Sequence, residues 1–261
     1  MSLSLTPPFL LLVVTVLVVA GAVNGLAGFG FAVLATMVLA SVVDPAVAVV
    51  FVIIPILAVN LSLVRELSAP QLRTCGQRFA PLLAAALVGA VAGMAVLDTL
   101  PTGPLRIGLG VLTLAFVASA QQAVAVPGLD RAREGCFVES TAGMAGFGAV
   151  AGLLFGGTNV GVQLVAYVRS CELSHGLFVG VLALLFLGLN AVRVGAAAAF
   201  GLYPDLAVFG LSALSALPAV AGVAVGSRLR ASVSERQRRA VVLTLLTVIG
   251  VRLLLGGFGI A

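Results

Sequence analysis

From Met1 to Val43 the chain carries no charged side chain. A run of that length has no place in the core of a soluble domain, whereas about 20 consecutive apolar residues suffice to cross a hydrocarbon layer of about 30 Å. Similar runs, bounded by charge or proline, recur: about 8 to 40, 45 to 64, 79 to 97, 105 to 126, 137 to 168, 176 to 200, 204 to 227 and 240 to 258. With 61% of 261 residues hydrophobic and only 9% charged, the chain reads as an all-α integral membrane protein whose first partner is the lipid bilayer.

Charge excludes other classes. The formal net charge of +5 could suit nucleic acid, but every basic residue is Arg and no aromatic-flanked basic stripe occurs. The arginines mark the loops of a membrane protein, and nucleic acid is not an expected partner. The first run is too long for a signal peptide and lacks a basic start, so it is expected to stay in the mature protein. Cys75, Cys136 and Cys171 fall in or beside loops without metal-ligand spacing. They are expected to be reduced, incidental thiols, and no metal or other cofactor is expected.

Two runs do not fit a simple crossing. The first and fifth, at about 32 residues, would make helices of about 48 Å. Both have glycine-rich centres, GLAGFG at 25 to 30 and GGTNVG at 156 to 161. A shift of about 131 residues superposes Gly21, Gly25 and Gly30 on Gly152, Gly156 and Gly161, and with one residue of slippage LAVN at 57 to 60 meets LGLN at 187 to 190. The chain therefore divides into two related transmembrane halves, 1–126 and 137–261. Each opens with a glycine-broken or re-entrant segment followed by three transmembrane helices.

Arginine position bears on the turn. Eight plain crossings split the loop arginines five against seven, which gives no orientation; if the fifth segment leaves on the side it entered, the split becomes eleven against one, with only Arg106 misplaced. A hairpin in the first segment follows from its match to the fifth, and both together make the halves inverted repeats.

A chain that reverses inside a bilayer leaves backbone N–H and C=O groups without helical partners, tolerable only beside protein or a watery cavity. Glycine permits the turn, and the helix starts at such a break offer free N–H groups and partial positive charge to a small anion. Close helix packing is the competing use of glycine, and is the expected role of Gly89 and Gly93. The polar residues of the apolar runs gather at the breaks: Asn24, Thr158, Asn159 and Gln163 beside them, with Asn60 and Asn190 matched on the following helices. Each could donate to an anion or bond a neighbouring helix. Arg193, three residues after Asn190, is either a ligand or a side chain that reaches out to the interface. No carboxylate sits within a run, so the proton or sodium coupling that intramembrane acids often serve has no visible carrier, and the pattern leans toward efflux.

The glycine-broken segments, and in the second half GLLFGGTNVGVQLVAYV, SHGLFVGVLALLFLGLNAVRVGAAAAFGLY and LPAVAGVAVGSRLRASVSERQRRAVVLTLL, resemble the TauE/SafE family of sulfite and organosulfonate exporters. The resemblance covers nearly the whole chain. It implies a membrane carrier for small sulfur-containing anions and no enzyme activity, with Gly25, Gly28, Gly30, Gly156, Gly157, Asn190 and Arg193 on matching positions. Thr158 and Asn159 stand where many members have a proline after the second glycine pair. The candidate binding set adds Asn24, Asn60, Gly161 and Gln163. An anion channel, or a carrier for another oxyanion or a carboxylate, is the alternative.

Overall fold

The computed structural model describes residues 6–40, 42–96, 102–120, 140–171, 173–230 and 232–259. Those residues form twelve α-helices joined by turns and no strand. In the first half these are α1 (Pro7–Ala27), α2 (Phe31–Leu39), α3 (Pro45–Leu63), α4 (Ala69–Arg78), α5 (Ala80–Ala95) and α6 (Thr102–Ala120). The second half holds α7 (Thr141–Thr158), α8 (Val162–Ser170), α9 (His175–Ala199), α10 (Leu206–Leu214), α11 (Ala216–Leu229) and α12 (Glu235–Gly257).

Local chemistry sets the helix starts. Asp44 accepts from the amides of Ala46 at 2.9 Å and Val47 at 3.3 Å, and Pro45 follows at the first helical position, where its missing N–H costs nothing. Ser234 and Gln237 form a capping box that begins α12 at Glu235, five residues before the apolar run, so Arg236, Arg238 and Arg239 are helical rather than in a loop. The same device, Ser68 with Gln71, nucleates the polar helix α4 where hydropathy shows only a loop. The run at 137 to 168 yields helix only from Thr141, and residues 121–139 lie outside the described residues.

Five helical stretches are long and apolar enough to cross a membrane: Pro7–Ala27, Ala46–Glu66, Thr141–Thr158, Gly176–Ala199 and Leu206–Leu229. The bent pair Ala69–Arg78 and Ala80–Ala95, at 69°, would make a sixth. Among the described residues, that is fewer than the eight apolar runs.

Helix pairing crosses the sequence. α1 packs on α11, α5 on α7, α6 on α12 and α3 on α9, each pair taking one member from either half. Small residues make the first two contacts close: a Cβ on Gly152 would collide with the Ala86 carbonyl, and one on Gly226 with that of Ala22. Gly89 and Gly93 meet Ala149 and Leu153 in the same way, the packing role expected of them. Lipid tails are as apolar as leucine, so such close approach, rather than hydrophobicity, holds membrane helices together.

Both long runs break, and the chain turns back at each break. Phe147 of α7 stacks on Tyr167 of α8 with centroids 5.3 Å apart, and Gln163 donates to the Ala151 carbonyl at 3.0 Å. In the first run Phe9 and Val13 of α1 share a small void with Leu39, Val43 and Phe51, which brings the end of α2 beside the start of α1. Arg230, after α11, pairs with Glu66, after α3, at 2.9 Å, and Phe79 meets Tyr167 edge-on at 6.4 Å. The ends of α3, α8 and α11 and the start of α5 therefore share one end of the molecule.

Cys171 is disulfide-bonded and Cys75 is free, which corrects the expectation of three reduced thiols. Pairing depends on which Cα atoms the fold brings within about 4.4–6.8 Å, and sequence spacing does not reveal that.

Candidate functional site

The break after α1 is built from Asn24 and two glycines. Gly28 (φ 86°) and Gly30 (φ 109°) occupy left-handed backbone that a Cβ disfavours, and the Gly28 amide donates to the Asn24 carbonyl at 2.7 Å. The Asn24 side chain then crosses the gap, its Oδ1 accepting from the Phe31 amide at 3.1 Å. One residue thus closes α1 and opens α2. Its Nδ2 is left buried with no partner.

The second break uses an asparagine where the first uses glycine. Asn159 (φ 60°) is the one non-glycine residue with positive φ among the described residues, and Asn tolerates that region better than most. Its side chain holds the halves together: Nδ2 donates to Thr36 Oγ1 and to the Val49 carbonyl, each at 2.9 Å. Its Oδ1 accepts from Arg193.

Arg193 is fully buried. It donates to Asn190 Oδ1 at 3.1 Å and to the Gly156 carbonyl at 3.0 Å, and its guanidinium carbon lies 4.8 Å from the centre of the Phe155 ring. These charge-assisted bonds and the ring face offset much of the cost of burying the guanidinium, although its Nε is left buried with no partner. The alternative in which Arg193 reaches the interface is therefore corrected: the side chain points into protein. Asn190 completes the arrangement by donating to the Phe186 carbonyl at 2.7 Å.

Between the breaks lies a small cavity of about 20 Å³, room for about one water molecule. Asn24, Asn60 and Asn159 are its polar wall, Gly30 and Gly161 its two break glycines, and Phe29, Phe155, Phe186, Val33 and Ile56 close much of the rest. Asn60 on α3 is buried, and its Nδ2, like that of Asn24, has no partner. The first turns of α2 and α8 belong to the same wall through Gly30, Ala32 and Val33 and through Gly161 and Val162. Helix starts carry unsatisfied N–H groups and partial positive charge.

Five of the thirteen sequence candidates line this cavity: Asn24, Gly30, Asn60, Asn159 and Gly161. Asn190 and Arg193 stand one layer behind, through Asn159. Gly25, Gly156 and Gly157 serve helix contacts instead, against Val223, Ala90 and Gly93 respectively. The Gly28 turn packs on Val179, Thr158 caps its own helix by donating to Leu154 at 2.6 Å, and Gln163 ties α8 to α7. Sequence reasoning missed Thr36, Phe29, Phe155 and Arg230. Phe29 and Phe155 sit within and beside the glycine clusters, and Thr36 is a hydroxyl inside an apolar run, so these were legible. Arg230, whose Nε donates to the Gly25 carbonyl at 3.0 Å, looked like any loop arginine.

Among the residues lining the cavity, the polar side chains are the amides of Asn24, Asn60 and Asn159. A family model described as Sulfite exporter TauE/SafE matches residues 13–253, nearly the whole chain. No curated protein and no solved structure matches significantly. The chain belongs to the TauE/SafE sulfite exporter family, and with its apolar helices it is a multi-pass integral membrane transporter rather than an enzyme.

Proposed function

We propose that the protein is a secondary transporter that exports a small sulfur-containing anion, sulfite or an organosulfonate, across the bacterial cytoplasmic membrane. The anion sits in the cavity between the breaks, near the midplane of two inverted repeats, 1–126 and 137–261. The observation that carries this reading is the pair of buried amide donors, Asn24 Nδ2 and Asn60 Nδ2, unpartnered beside one cavity. A buried donor without an acceptor costs about 1–3 kcal/mol, and an oxyanion relieves that cost at both sites together.

Three further features support it. The main pairings of helices across the halves have counterparts when the halves are exchanged, α1 on α11 answering α7 on α5 and α3 on α11 answering α9 on α5. The α7 and α8 hairpin opens at the end where Arg230 meets Glu66, and the α1 and α2 hairpin opens at the start of α3, as inverted repeats require. The Arg65 and Arg228 loops share one end, which the positive-inside rule makes cytoplasmic. A potential negative inside drives each anionic charge outward by about 2.3 kcal/mol per 100 mV, so export needs no coupling ion.

Counterflow tests the reading. Vesicles containing the purified protein and loaded with unlabelled sulfite should take up labelled sulfite transiently against its gradient, with a rate that saturates. Conductance without saturation or counterflow would identify a channel instead.

A further inference from the structure

The cavity holds amide donors but no charge, and this bears on the ionisation state of what it accepts. Its walls come from α1, α2, α3, α7, α8 and α9. No residue lining it is ionisable. The cation nearest to it in the network is Arg193, behind Asn159 and Phe155; its terminal nitrogens donate to Asn159, Asn190 and Gly156, while its Nε is left buried with no partner. Elsewhere on these helices Tyr167 packs between Phe79 and Phe147, Arg169 ends α8, His175 begins α9 and Asp44 caps α3. Arg230 reaches the Gly25 carbonyl from outside, with its charge paired to Glu66.

We propose that the site takes its substrate as a monoanion: hydrogen sulfite rather than the sulfite dianion, and sulfonates of single charge in preference to those with a second carboxylate. This rests on the anion-site reading above and names the charge state it selects. One buried guanidinium balances one negative charge. A second charge would be buried without a partner, which low-dielectric surroundings penalise heavily. The helix starts and the two free amides add partial charge and hydrogen bonds, enough to orient oxygens but not to neutralise a dianion. Aliphatic wall residues, Val33, Ile56, Val162 and Val165, suit the alkyl portion of a short sulfonate. Each export cycle then moves one negative charge.

Sulfite exchanges its last proton near neutral pH, whereas methanesulfonate is a monoanion throughout and sulfate a dianion. Equilibrium binding of all three to the purified full chain between pH 6 and 9 separates the cases. The expected result is methanesulfonate affinity independent of pH, sulfate binding at least tenfold weaker, and apparent sulfite affinity that falls toward tenfold per pH unit once the dianion predominates. Sulfite affinity that holds or rises with pH, or sulfate bound as tightly as methanesulfonate, would overturn the proposal. Failure of all three anions to bind would instead remove the anion-site reading, and the charge selection with it.

Discussion

Asn159 carries more of the architecture than any other polar residue at the breaks. It closes α7 in left-handed backbone, bonds α2 and α3 across the molecule, and receives Arg193. Arg193 is accordingly a positioning residue: its planar fork sets Asn159, which faces the cavity. Arg193→Lys keeps the charge but not the fork. It should weaken anion binding several-fold and lower thermal stability by about 1–3 kcal/mol. Arg193→Gln loses the charge as well and should weaken binding further. The same changes at the exposed Arg252 should leave both quantities unchanged, as anion titration and melting of the two series will show. Equal tolerance at the two positions would remove Arg193 from the support of the site.

At the scale of elements, two glycine-lined contacts and one arginine latch fix the broken helices. Gly152→Val forces a branched side chain into the Ala86 carbonyl and should cost about 1–3 kcal/mol or prevent insertion, whereas Gly146→Ala, which meets nothing within 4 Å, should melt like wild type. The latch separates two contributions. Glu66→Gln removes only a partly exposed ion pair and should cost less than about 1 kcal/mol. Arg230→Gln also strips the donor from the Gly25 carbonyl and should cost more. Equal melting temperatures for the two variants would show that the Gly25 bond adds nothing. The breaks themselves were legible, because clustered glycine in a run longer than a bilayer has few other uses. The helix α4 was not, since its signal is a capping box in a polar stretch that hydropathy ignores. Nor was the division of labour among glycines: Gly25 and Gly30 look alike in sequence, yet one lies against α11 and the other faces the cavity. Only the path of the opposing helix distinguishes them.

For the whole molecule, helices from the two halves interleave, so neither half has a complete set of contacts alone. The family, the apolar helices and the polar residues beside the breaks could be read along the chain. Which asparagines face the cavity could not, because Asn60 and Asn190 hold matching positions and only the first is left with a free donor. The shared end of the Arg65 and Arg228 loops gives a topological test. Single cysteines at the exposed positions Gln77 and Ser232, in a cysteine-free background, should both resist an impermeant thiol reagent added outside intact cells. Labelling of one but not the other would contradict the paired hairpins.

The central claim is that Asn24 and Asn60 hold a small oxyanion between the two breaks. Calorimetric titration of sulfite into wild type, Asn24→Ala, Asn60→Ala and the double variant tests it most directly, with melting curves to confirm folding. A hydrogen bond to a charged group is worth about 1.5–3 kcal/mol, so each single change should weaken binding by about tenfold or more and the double change should abolish it. Wild-type affinity in a well-folded double variant would contradict the claim and move the anion out of this cavity.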